Sequence, residues 1–315
     1  MMSARPPQAA ARSRHRIGVA RPALALVLAA ALAACAGPGD RHPAPVPEVR
    51  PGISVGYLDD AALPDSLILV PAPPVAGSAA LAQDHAVAAA ALVLRGSPRW
   101  EQATRDADLV FPQAAGTFAC ALGVEIDDTH TPHLVRLLRR SLADAARSVR
   151  AAKHQYQRAR PFTENGAPTC TPDSETGLRT NGSYPSGHTA IGWSWALLLA
   201  EAAPERADAV LLRGRQYGES RLVCNVHWQS DVLQGRFLGA ATVARLHAEP
   251  AFAADMAAAT AEIRRARAAG RTPASRLRTP RSRSPGGPGP TTGRRSPGGT
   301  SCSSGRPTSR APSRS

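Results

Sequence analysis

Aromatic residues make up only 4% of the 315 residues, and strand-forming runs of Val, Ile, Thr and aromatics are nearly absent. These lacks argue against a sheet. Helices rich in Ala, Leu and Val are left to bury the core, so an all-α fold is expected. There are five cysteines and no C-x-x-C pair, so neither a zinc site nor thioredoxin-like chemistry is indicated. Acidic residues are missing from 1–34 and from 270–315, which carry five and ten Arg. Removing those fifteen charges from the net +14 leaves residues 35–269 at −1. The basic balance therefore belongs to the two ends. No basic stripe is left to track a nucleic-acid backbone, and nucleic acid is not expected as a partner.

A long apolar run is also missing. Ala23–Ala34 is apolar for only 12 residues, too short to span a bilayer, and follows Arg12, Arg14, Arg16 and Arg21. A basic segment before a short apolar one reads as an export signal over 1–35. It ends at Leu32-Ala33-Ala34-Cys35, which resembles a bacterial lipobox, so Cys35 is a candidate lipid anchor. Ordinary cleavage near Ala33 is the alternative. Either way the expected location is the periplasm, with outer-membrane anchoring if Cys35 is lipidated. Export permits disulfides. With three cysteines (Cys120, Cys170 and Cys224) in the folded part, one is unpaired or pairs with Cys302.

Residues 36–59, rich in Pro at their start, read as a linker. A folded domain is expected over 60–269. Residues 270–315, nearly all Arg, Ser, Pro, Gly and Thr, read as a disordered basic tail. Helical patterning with Pro and Gly punctuation predicts helices over 78–94, 98–107, 110–121, 131–157, 188–202, 205–218, 225–247 and 251–269. The stretch Thr189–Ala202 is apolar almost all round, as suits a central helix. Residues 162–184 are polar and Gly/Pro-rich, and predict a long loop bordering a site.

Three blocks carry the chemistry: Lys153-x6-Arg160-Pro161, Pro185-Ser186-Gly187-His188, and Ser220-Arg221-x5-His227-x3-Asp231. The first predicts two cations on one side of a helix that Pro161 stops. The second is a helix start, where backbone N–H groups attract anions, Ser186 adds a hydroxyl donor and Gly187 admits close approach. The third sets His227 and Asp231 four apart on a predicted helix, so the carboxylate can hold Nδ1–H and leave Nε2 as a nucleophile. Each block alone has an ordinary structural reading: surface cations, a helix cap, a surface ion pair. Together they supply three cations for phosphoryl oxygens, a nucleophilic His with its carboxylate, and His188 as proton donor to the leaving group.

These blocks resemble the signature of the class A bacterial non-specific acid phosphatases, part of the type 2 phosphatidic acid phosphatase superfamily, which also includes vanadium haloperoxidases. The resemblance fixes eleven residue types in order and spacing, spans roughly 60–268, and extends to the flanking Asn181–Thr189 and His227–Asp231. It implies an all-α bundle and hydrolysis of small phosphomonoesters without a cofactor or metal, through a phosphohistidine on His227. In that scheme Asp231 orients His227, and His188 is the general acid. Lys153, Arg160, Arg221, Ser186 and Gly187 hold the phosphate. It also implies inhibition by vanadate, an acidic pH optimum and a homo-oligomer. Cys170 and Cys224 match cysteines common in the family, which implies that they pair. Two departures stand out. Asn225-Val226 replace the family's Gly-Tyr, and Leu142-Ala143 replace a Glu-Asp pair, with Asp144 nearby. A vanadate-dependent haloperoxidase, a lipid phosphate phosphatase, or a non-catalytic exported anion-binding protein are the competing readings.

Overall fold

The computed structural model describes residues 42–273. The expected export signal, Cys35, Cys302, the first part of the linker and nearly all of the tail lie outside the described residues. A short antiparallel hairpin of β1 (Glu48–Arg50) and β2 (Ile53–Ser54) opens the chain and is the sheet found among the described residues. Helices follow: α1 (Ser66–Leu69), α2 (Ala79–Leu92), α3 (Pro98–Arg105), α4 (Gln113–Gly116), α5 (Ala119–Leu122), α6 (Pro132–Ser148) and α7 (Arg150–Tyr156). After these come α8 (Pro161–Asn165), α9 (Glu175–Arg179), α10 (Gly187–Ala202), α11 (Ala207–Val223), α12 (Gln229–Leu246) and α13 (Pro250–Ala268). The fold is all-α. Among the described residues no helix is long and apolar enough to cross a membrane.

Local chemistry sets many of the helix starts. Ser78 and Ser97 accept hydrogen bonds from Leu81 N and Trp100 N, capping α2 and α3, and Ser186 accepts from Thr189 N to cap α10. Proline occupies the first turn of α3, α6, α8 and α13, where a missing N–H costs nothing.

The apolar helix α10 is central, packed by α11, α12, α6 and α13. Trp195 is fully buried on it, donates from Nε1 to Leu138 O at 3.0 Å, and meets Phe111 and Phe118 edge-on. Helix α12 comes unusually near α10. A Cβ at Gly235 would collide with the Ser186 carbonyl oxygen, and one at Gly239 with that of Ala190. Only glycine permits this approach, which lays the start of α10 against the helix that follows His227.

Several expected boundaries are corrected. The helix expected over 131–157 breaks at Val149 into α6 and α7, just after Ser148 turns its hydroxyl back onto Ala145 O, a bond that bends helices. The 110–121 helix is two single turns. Helix α11 runs on to Val223, while α12 begins only at Gln229. The linker expected over 36–59 does not extend to 59. Tyr57 and Leu58 belong to the core, and their N–H groups donate to the buried Asp144 carboxylate at 2.7 and 3.2 Å. Asp144, beside the departure at 142–143, thus ties down the entering chain.

The 162–184 loop contains α8, α9 and a 3-10 turn. Cys170 and Cys224 form the disulfide that the resemblance implied, and Cys120 is also disulfide-bonded. The Cys170–Cys224 link closes 54 residues, which the chain-entropy account makes worth about 4 kcal/mol. It lies in a second small core with Phe162, Val223, Val226 and Ala103, directly beneath the loop.

Candidate active site

Backbone hydrogen bonds close the three blocks into a ring. Ser183 N donates to Arg158 O, Ser186 N to Asp231 O, and Phe162 N to Asn225 O. Asn225 sits at φ +60°, the left-handed region where glycine is easiest and asparagine next. This accounts for the departure from the family's glycine. Asn225 also exchanges side-chain amide bonds with Asn165 at 2.9 and 3.1 Å and donates to Ala167 O at 3.0 Å.

The structure brings His227, Asp231, Lys153, Arg160, Arg221 and His188 together, but two of the geometric reasons read from spacing are wrong. Lys153 and Arg160 do not share a helix. Helix α7 ends at Tyr156, Gln157 turns left-handed, and Arg160 is the extended residue before α8, with Pro161 opening that helix rather than ending the earlier one. His227 and Asp231 do not share a helix face either. His227 precedes α12, and Asp231 sits in its first turn, where Oδ2 accepts from Trp228 N at 2.9 Å and from His227 Nδ1 at 3.2 Å. One carboxylate oxygen thus satisfies the helix start and orients the imidazole.

That bond leaves His227 Nε2 as an acceptor, and Arg160 Nη1 lies 3.2 Å from it. Arg160 is held by the Leu178, Asn181 and Val226 carbonyls, and Lys153 Nζ donates to Gly182 O at 2.7 Å and Ser183 O at 3.2 Å. The long loop therefore borders the site by aiming its cations. Arg221 differs: it is 2% exposed, and its Nε and Nη1 have no hydrogen-bond partner among the described residues. A buried guanidinium with idle N–H groups is costly unless an anion meets it. Ser186 Oγ accepts from Thr189 N and Oγ1, which leaves its own hydroxyl hydrogen to give. A Cβ at Gly187 would touch only Val149, at an ordinary 3.6 Å, so protein packing does not demand glycine there.

His188 is held from outside the three blocks. Its Nε2–H donates to Ala107 O at 3.0 Å, which leaves Nδ1 as the acceptor nitrogen of the ring. Burial pushes both imidazoles well below the usual histidine range, reinforced by Arg221, Arg160 and Lys153. Both effects favour the neutral form of each ring. Burial also lowers Lys153, and brings Arg160 and Arg221 down to about 10, so both guanidiniums keep their charge.

Sequence reasoning missed two residues. Arg158, passed over as filler between Lys153 and Arg160, donates to Asp231 Oδ1 at 2.8 Å, Ser230 Oγ at 2.7 Å and Asp84 Oδ2 at 2.8 Å. Asp84, on α2, accepts from Ser230 N at 2.8 Å. An arginine two residues before the motif Arg160 was the only signal, and nothing in the sequence linked it to Asp84.

A separate expectation follows from Arg221. Arg221→Met is at least as stable as wild type in phosphate-free buffer, because a thioether replaces an unmatched buried charge. Its affinity for inorganic phosphate falls about ten- to a hundredfold. Thermal unfolding with and without phosphate checks both. At equal concentration, phosphate should raise the wild-type midpoint clearly more than the variant's.

Residues 138–251 match the model of the PAP2 superfamily. An acid phosphatase of Zymomonas mobilis subsp. mobilis is 41% identical over 209 residues, covering 66% of this chain and 79% of that protein. A non-specific acid phosphatase of Providencia stuartii is 43% identical over 197 residues, covering 62% and 79%. One of Salmonella typhimurium is 41% identical over 200 residues, covering 63% and 80%.

Proposed function

Since this chain belongs to the acid phosphatases of the PAP2 superfamily, we propose that it hydrolyses phosphomonoesters by passing the phosphoryl group through His227. The observation that carries the reading is the His227 ring: Nδ1 bound to Asp231, and Nε2 unprotonated and accepting from Arg160 Nη1.

The substrate's phosphate enters among Lys153, Arg160 and Arg221, with the Ser186 hydroxyl and the Gly187 N–H on its remaining oxygens. Arg160 turns from His227 Nε2 to the anion. The Nε2 lone pair attacks phosphorus while the P–O ester bond breaks, and the departing oxygen takes a proton from His188 Nδ1. Asp231 stabilises the charge that His227 acquires. His188, now neutral, takes a proton from water. The water oxygen then forms a new P–O bond as the P–N bond breaks, and its electron pair returns to Nε2. Inorganic phosphate leaves.

His188 acts as an acid only once protonated. The free pocket opposes this, and a bound phosphate dianion favours it by offsetting the three cations. An acidic optimum follows. The export reading of residues 1–35 extends the proposal to the periplasm, with Cys35 as the anchoring residue.

Rapid quench with a labelled phosphomonoester tests the route. The expected result is a transient adduct, stable to alkali and labile to acid, that maps to the peptide containing His227. An active enzyme that never carries label would instead attack phosphorus directly with water.

A further inference from the structure

Arg158 turns away from the anion-facing ring and into the wall behind it. Asp84, at 1% exposure, and Asp231, at 0%, flank it, and its guanidinium stacks 5.3 Å from the centre of the Trp228 ring. The fork spans the two carboxylates, with Nη1 on Asp231 Oδ1 and Nη2 on Asp84 Oδ2. Asp84 in turn caps the start of α12 through Ser230 N and Oγ, at 2.8 and 2.6 Å. Helix α2, the α7–α8 link and α12 therefore meet at one guanidinium. This geometry divides the labour within Asp231. Oδ1 belongs to Arg158, so Oδ2 is left for His227 and Trp228.

We infer that Arg158 is a positioning residue for phosphoryl transfer, clamping Asp231 ionised and aimed at His227, and that it sets how far into acid the enzyme keeps working. The inference rests on the role proposed above for His227 and Asp231.

The need for such a clamp follows from the surroundings of Asp231. Burial pushes its carboxyl above the usual carboxylate range, toward the pH at which an acid phosphatase must act. Arg158 is the strongest opposing influence, followed by the Trp228 N–H, Lys153 and the Ser183 hydroxyl. Arg160 also senses the Asp231 charge, while Tyr184 and His227 face it as neutral groups. Asp84 is the remaining negative neighbour, and Arg158 stands between it and Asp231. Without Arg158, Asp231 takes up a proton at higher pH. A protonated Asp231 no longer balances the positive phosphohistidine ring, so activity is lost on the acid side first.

The test is the pH dependence of kcat on p-nitrophenyl phosphate for wild type, Arg158→Gln, and Arg158→Gln combined with Asp84→Asn. The acid limb of Arg158→Gln should move up by about one pH unit or more. Activity should recover toward neutral pH, and inhibition by inorganic phosphate should be unchanged. The double variant leaves no unpaired buried carboxylate at position 84, so it removes the larger obstacle to folding that the single one would create. Its limb should also lie above wild type, because Arg158 touches Asp231 directly and Asp84 does not. A limb that stays in place in a folded variant, or a loss by the same factor at every pH, overturns the inference. His227→Ala, assayed alongside, separates the two levels. Activity surviving there overturns the site assignment and this inference with it. Full loss there beside an unmoved limb overturns this inference alone.

Discussion

His227→Ala lowers kcat on p-nitrophenyl phosphate by about four orders of magnitude or more, because the phosphoryl group loses its acceptor. The surrounding structure gives no substitute. Nε2 is the acceptor nitrogen that Asp231 orients and Arg160 faces, and His188 is engaged with Ala107 O. The substitution should leave the fold in place. Asp231 keeps its bonds to Trp228 N and Arg158, so the start of α12 retains its anchor. The cations also stay, and inorganic phosphate should still raise the unfolding midpoint. Steady-state kinetics and thermal shift on the same sample check this pairing of lost turnover with kept binding. Turnover within tenfold of wild type would mean that phosphate is received elsewhere. Loss of phosphate binding together with turnover would mean that the site had collapsed.

His188→Ala gives the second large effect, and its size depends on the leaving group. Esters of simple alcohols need a proton on the departing oxygen, and removing a positioned acid costs them about 10²- to 10⁴-fold. p-Nitrophenolate departs without help, so the first step on that substrate is slowed far less. The second step still lacks its base. The variant should therefore release a burst of about one p-nitrophenol per site and then stall with His227 phosphorylated. Stopped-flow absorbance and the quench label record the burst and the trapped adduct. An equal slowing of both substrate types without a burst would remove His188 from proton transfer.

How much of this was legible in the sequence depended on the range of the interaction. Helix α10 could be read from its unbroken apolar run, and the starts of α2 and α3 near Ser78 and Pro98, because those signals lie within one or two turns. The site residues were legible as types. Three cations, two imidazoles and a carboxylate suffice to name the chemistry. Their placement was not legible. Regular spacing put Lys153 and Arg160 on a single helix, yet the chain turns left-handed at Gln157 and delivers them from separate elements. It put His227 and Asp231 on a helix face, where the structure uses a helix entrance. Arg158 and Asp84 lie 74 residues apart, and local patterning carries no information about a pair at that distance. Tyr57 and Leu58 were hidden for the same reason, since Asp144, the partner that fixes them, is more than 80 positions away.

Ser220 adds a further lesson. It belongs to the third block, yet its hydroxyl donates to Asp106 at 2.6 Å and accepts from Arg99 at 2.9 Å, while Arg213 pairs with the same Asp106. The serine fastens α11 to α3 one residue from Arg221. The adjoining Ala107 carbonyl holds His188. The orientation of His188 therefore depends on a turn that no signature includes, through a main-chain atom. Descendants of this sequence can preserve every diagnostic letter and still drift in catalytic power as that turn shifts, and a pattern search would score them all alike.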